Sequence, residues 1–265
     1  MSQLIYSSGQ DKLITRDGMA HLKTPDSMGS RHAPYSFGVF SNTVCDSIVK
    51  AGFKIEREEF AITKDEKRLF GLLQVSNGVA NVPALSNTTA LHRPGWSLLV
   101  GVRGAHDQRI SRGLAIGSRV ISCSNLCFHG DQGKWDSKQT THIGDRIPGM
   151  VADAVAGLRR SAQTLAVDFD GFNRTSLSRD QGDSVLLDIF RSGGFSPSQL
   201  GRAIEDWDSC SVEEHTANGR NLWWLLNSAT HALKPTGANN NHNDLRERST
   251  IIYRKLQPAV LALAA

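Results

Sequence analysis

Nothing in this 265-residue chain marks it for a membrane or for secretion. Residues Met1 to Gln10 hold no basic stretch followed by an apolar run, so no secretory signal is expected there. The longest apolar run, near Pro258 to Ala265, is far too short to span a bilayer. Cysteine is scarce: Cys45, Cys123, Cys127 and Cys210 follow no framework spacing. In a chain of this size they read as reduced thiols, which predicts a cytoplasmic protein. The common catalytic signatures are missing as well. There is no phosphate loop, dinucleotide fingerprint, Gly-x-Ser-x-Gly elbow or His-Glu-x-x-His helix, and nothing calls for a cofactor. Repeats and long low-complexity tracts are absent too.

What is present is a globular composition, 39% hydrophobic and 21% charged, long enough for a substantial core. The net charge of +4 and pI near 9.0 favour an acidic partner only weakly. The placement of charge says more. Between His92 and Val120 stand Arg93, Arg103, Arg109, Arg112 and Arg119 against one acid, Asp107. A second excess, Lys234, Arg246, Arg248, Arg254 and Lys255 against Asp244 and Glu247, closes the chain.

Periodicity predicts the elements. Residues Met1 to Tyr35 read as irregular, with a short helix capped by the Thr15 hydroxyl. A first long helix is expected from Ser41, through Val44, Ile48 and Ala51, to a stop at Gly52. A hairpin follows, Phe53 to Ile62 and Leu69 to Val75 around the polar turn Thr63–Lys67. Residues Asn77 to Gly95 read as a long loop. Trp96 to Arg103 and Arg119 to Phe128 are expected as the next two strands, with Gly104 to Gly117 as a short helix between them.

From Ile147 an apolar stripe of helical period runs through Met150, Val151, Ala154, Val155, Leu158, Leu165, Ala166 and Phe169. Later helices are expected at Val185–Phe190, after the Ser196-Pro197 start with Gln199 completing a capping box, at Leu222–Leu233, and at Asp244–Leu256. The fold class is therefore α+β. A mostly antiparallel sheet with flanking helices (residues 1–146) is followed by a helical half (147–265), the two packed as one domain.

Three chemistries compete for the polar residues around the third and fourth strands. A metal site would use Cys127, His129 and His142. On an unbroken strand, Cys123 and Cys127 would stand roughly 13 Å apart, too far for one ion. Acid–base or nucleophilic catalysis would use His106, Asp107 and Cys123, although neighbours on a strand point to opposite faces and Asp107 serves equally well as a cap. A phosphate-binding surface would use Arg103, Arg109, Arg112 and Arg119, because guanidinium forks match phosphate oxygens. Phe128 and Trp135, flanked by Lys134 and Lys138, would stack on unpaired bases there.

The runs Gly101-Val102-Arg103-Gly104-Ala105-His106-Asp107 and Gly117-Ser118-Arg119-Val120-Ile121-Ser122-Cys123-Ser124-Asn125-Leu126, with Gly130, His142 and the segment Leu222 to Thr230, resemble the phage- and plasmid-associated family catalogued as domain of unknown function 932. Ala105 stands where that family usually has Ser, which argues against serine catalysis. The resemblance implies a role in replication, recombination or takeover of a host, and it covers roughly Thr15 to Gln257. The order of elements also resembles ring-forming single-strand annealing proteins. The leading expectation is a single-stranded-DNA-binding or annealing protein that forms homo-oligomers and has no membrane partner. The alternatives are a metal-assisted hydrolase and a protein that neutralises a host factor.

Overall fold

Alternation of apolar and polar residues builds the sheet, and short polar turns fold it back on itself. The structure is a computed structural model that describes residues 11–77, 96–120, 126–128, 134–210, 212–234 and 242–263. Strands β1 (Asp11–Ile14), β2 (Phe53–Thr63), β3 (Arg68–Asn77), β4 (Trp96–Ala105) and β5 (Arg112–Val120) pair antiparallel in chain order. Strands β6 (Leu126–Phe128) and β7 (Lys134–Ser137) both pair with β5, along different stretches of it. The β2–β3 turn is the one expected. The Thr63 carbonyl accepts the Glu66 N–H at 2.8 Å, and Asp65 accepts from the Thr63 hydroxyl at 2.6 Å.

One face of the sheet carries Phe60, Ile62, Leu69, Leu73, Leu98, Val100, Val102, Leu114 and Ile116, all buried in the main core. Helices α2 (Phe37–Lys50) and α3 (Ile143–Arg174) pack into that same core. The short α1 (Arg16–Ala20) precedes them, capped by Thr15 as expected. The other face holds a small apolar cluster, Ala61, Leu72, Leu99 and Ala115, against which Leu245 packs. Leu245 belongs to α8 (His242–Leu263). The remaining helices, α4 (Arg179–Arg191), α5 (Pro197–Ser209), α6 (Glu213–Thr216) and α7 (Leu222–Ala232), gather beyond the sheet. Trp96 meets Phe169 edge-on at 5.0 Å and Phe169 meets Trp223 at 5.1 Å, so aromatic rings join the two halves.

The capping box predicted at Ser196 and Gln199 is present, and Ser178 with Gln181 forms another. Gly182 exists to let α4 approach α5. A Cβ there would lie 2.3 Å from the ring of Trp207, which is itself fully buried.

Four expectations are corrected. Helix α2 starts at Phe37, capped by the Ser36 hydroxyl, and Ser41 is buried inside it. Strand β1 lies in the stretch expected to be irregular. The predicted helix at Gly104–Gly117 is instead the end of β4, a hairpin tip and most of β5. The glycines that looked like helix boundaries are sheet residues. Gly113 is glycine because a Cβ would strike Asp136 Oδ1 at 2.0 Å and the Trp135 carbonyl at 2.6 Å.

The expected strand Arg119–Phe128 also reverses direction, because Arg119 pairs with Leu126 and Gly117 with Phe128.

Candidate functional site

Register decides which of the predicted basic residues can act together. Arg112 and Arg119 are seven residues apart on one regular strand, an odd separation that sends them to opposite faces. Arg112 enters the core, where it is 0% exposed beneath α2. Its guanidinium carbon lies 4.9 Å from the Phe40 ring centroid, 5.2 Å from that of Phe37 and 5.5 Å from that of Tyr35. It donates to the carbonyls of Tyr35 at 2.6 Å and Ser36 at 3.5 Å. Burial pulls its pKa down to about 9. Three π faces and two carbonyls offset part of the cost of holding that cation away from water. Arg112 is a core residue.

Arg119, on the other face, is buried as well. Arg103 shares that face and donates to Asp136 at 2.9 Å and to the Ser111 hydroxyl at 3.1 Å. Arg246 of α8 reaches the same carboxylate from 3.9 Å. Burial, and then the neighbouring Arg103, hold the Arg246 pKa below its ordinary value. Of the four arginines, Arg109 is the one that is mostly exposed, at 76% of its side chain, with its Nε 3.9 Å from Asp107. The four do not form one surface.

Asp107 is a structural turn residue. Its Oδ1 accepts the Arg109 N–H at 3.2 Å and its Oδ2 accepts from Arg68 at 2.8 Å. It does not orient His106, which is buried and stacked on Phe37 at 4.0 Å. Desolvation, then the charge of Arg112, lower the His106 pKa to about 4. Because the folded value lies below the ordinary histidine value of 6.5, the unfolded chain takes up the proton first. Stability from this group is complete above about pH 6.5 and falls as pH drops toward 4, by about 2–3 kcal/mol. Replacing His106 by Phe keeps the ring stack, so urea midpoints of the variant should lose that part of the acid slope. An unchanged slope would refute this assignment.

The stacking and metal residues divide in the same way. Trp135 is half-buried, its ring 3.1 Å from where a Cβ on Gly157 of α3 would sit, so it packs on the helix. Phe128, Lys134 and Cys127 lie on β6 and β7, but their side chains fall outside the described residues, as do Cys123 and His129 entirely. His142 is exposed at the N-cap of α3 and makes no side-chain cap bond. Among the described residues, no three His, Cys, Asp or Glu side chains group as metal ligands.

A different concavity gathers three exposed cations. A cleft of about 720 Å³ opens between residues 28–32, the β4–β5 tip (108–111) and the link from β7 to α3 (138–140). Arg31, Arg109 and Lys138 stand at its rim, and no Asp or Glu is among the described residues lining it. Gln108, at the tip, holds φ 62°, a left-handed conformation that side chains seldom adopt. The wall is held together by the antiparallel bridge His32↔Thr140 and by the Ala33 N–H donated to the Gln139 carbonyl at 3.4 Å.

Sequence reading found Arg109 and Lys138 but missed Arg31, His32 and Gln139. The available signal was the basic pair Arg31-His32, set between turn residues in a stretch without periodicity.

No family model, curated protein or solved structure matches this chain. Among the described residues, no helix is long and apolar enough to cross a membrane.

Proposed function

We propose that the chain binds single-stranded nucleic acid, DNA first, by holding backbone phosphates at the cleft between residues 28–32, 108–111 and 138–140. The role implied by the sequence resemblance, replication or recombination in a phage or plasmid setting, is compatible with that activity. One observation carries the reading: Arg31, Arg109 and Lys138 converge on one concavity with no carboxylate among its described lining residues. Arg112 is caged by rings and Arg103 is held by Asp136, which leaves the rim to do the binding.

Arg31 and Arg109 offer planar forks for two phosphate oxygens each, and Lys138 a point charge on a flexible stem. The three come from separate segments, so a strand crossing the cleft meets all of them within a few nucleotides. An unpaired strand can bend into such a cleft, whereas a stiff duplex cannot follow it easily.

The test is a filter-binding titration with a labelled single-stranded oligonucleotide over a range of salt. Three neutralised phosphates predict a slope near −2 in log affinity against log salt, from about −0.7 for each phosphate. Absence of retention at low salt, or an affinity indifferent to salt, would remove the proposal.

A further inference from the structure

We infer that the floor of this cleft recognises the hydrogen-bonding edge of one unpaired base. The inference rests on the nucleic-acid reading above and adds base selectivity to it. Two floor side chains carry the argument. His32 is 6% exposed and Gln139 8%, and both line the cleft.

The Met28 N–H donates to His32 Nδ1 at 3.1 Å, which places the ring hydrogen of the neutral imidazole on Nε2. That Nε2 has no acceptor. The Gln139 carboxamide has no partner at either end, so turning the amide over would not satisfy it. The Thr140 hydroxyl beside it is also without a partner. Buried polar groups are nearly always bonded, and a group of exceptions on one wall of a cleft calls for an explanation.

The mixture of donors and acceptors indicates the ligand. A phosphate presents acceptors alone, which would answer His32 Nε2–H and the Gln139 amide hydrogens but leave Gln139 Oε1 unmet. The edge of an unpaired base presents donors and acceptors side by side, and a carboxamide is the side chain that answers both at once. The volume, about 720 Å³, lies within the range of small-molecule sites. With phosphates on Arg31, Arg109 and Lys138, a base turned inward faces His32 and Gln139.

These floor atoms are out of reach of water, and residues 28–31 line the same cleft. That segment bends at Gly29, with φ 154° and open space around its Cα. It is tied by the Ser27 hydroxyl to the carbonyls of Gly29 and His32. A base reaches the floor when this turn swings outward.

The experiment compares oligomers of about a dozen nucleotides, homogeneous in thymine, cytosine or adenine, with an abasic oligomer of equal length. Wild type and Gln139→Leu are each titrated against all four. The expected result is that wild type binds one base type about tenfold tighter than the abasic strand. Gln139→Leu should bind all four within about twofold while keeping the wild-type salt slope. Gln139→Asn, which retracts the amide by one carbon, should also narrow the preference and guards against a folding defect in the leucine variant. Equal binding of all four oligomers by wild type, or a preference that survives in both variants, overturns the inference while leaving backbone binding intact. Failure to bind any oligomer, the abasic one included, defeats the nucleic-acid reading itself.

Discussion

Replacing Arg31, Arg109 and Lys138 together by glutamine is expected to weaken binding of single-stranded DNA by about a hundredfold and to flatten the salt dependence by about two log units per log unit of salt. The hundredfold figure corresponds to a little under 1 kcal/mol for each exposed contact, below the range for a buried charge-assisted bond, as suits a solvated rim. All three side chains are exposed at the cleft mouth, and none holds the fold together. The variant should therefore melt like the wild type. A control that removes the same charge from exposed Lys50, Lys54 and Arg191, away from the cleft, separates local contact from long-range attraction. If the control loses as much affinity as the cleft variant, net charge explains the binding and the cleft does not.

Arg112 should behave in the opposite way. Arg112→Ala is expected to lower the unfolding free energy by about 4 kcal/mol, which places it among the large single-site effects. Its guanidinium fills space between three rings, and its removal leaves a cavity and the Tyr35 carbonyl without that donor, while the Ser36 carbonyl keeps the Phe40 N–H. Some of that loss is returned because a buried cation without a carboxylate partner no longer has to be kept from water. Arg112→Met should accordingly cost less than alanine. Lysine is a poor substitute, since a compact ammonium cannot lie flat among the rings. Chemical denaturation measures the loss. The same protein, folded at low denaturant, should retain the salt slope of the wild type. A loss under about 1 kcal/mol would mean that the cage is not a structural element.

These four residues show where the sequence is informative and where it falls silent. The β2–β3 hairpin, the stripe of α3 and the capped start of α5 were all readable, because each is fixed by local spacing and by side chains bonding to their own backbone. The face on which Arg112 lies depends on the register of β5, and the glycines of that strand resemble helix ends when taken alone. Gly113 is required by Asp136 and Trp135, more than twenty residues later in the chain. Likewise, nothing near Arg112 announces that Tyr35, Phe37 and Phe40 will enclose it. Arg31, His32 and Gln139 sit in segments without periodicity, where residue type gives charge but not direction. Their convergence is a product of the tertiary fold.

Helix α3 carries a consequence of its own. At 32 residues and about 1.5 Å of rise per residue, it extends for nearly 50 Å. Ile147 and Val151 near its start and Phe169 and Phe172 near its end are buried in the same continuous core, and Trp135 of the cleft's own strand rests on its midpoint at Gly157. The expected boundary at residues 146 and 147 falls inside its opening turns. The helix passes through that point, Pro148 included, and continues to Arg174. A fragment cut at that boundary would lose the helix on which Trp135 rests, so the cleft cannot be transplanted without the helices behind it.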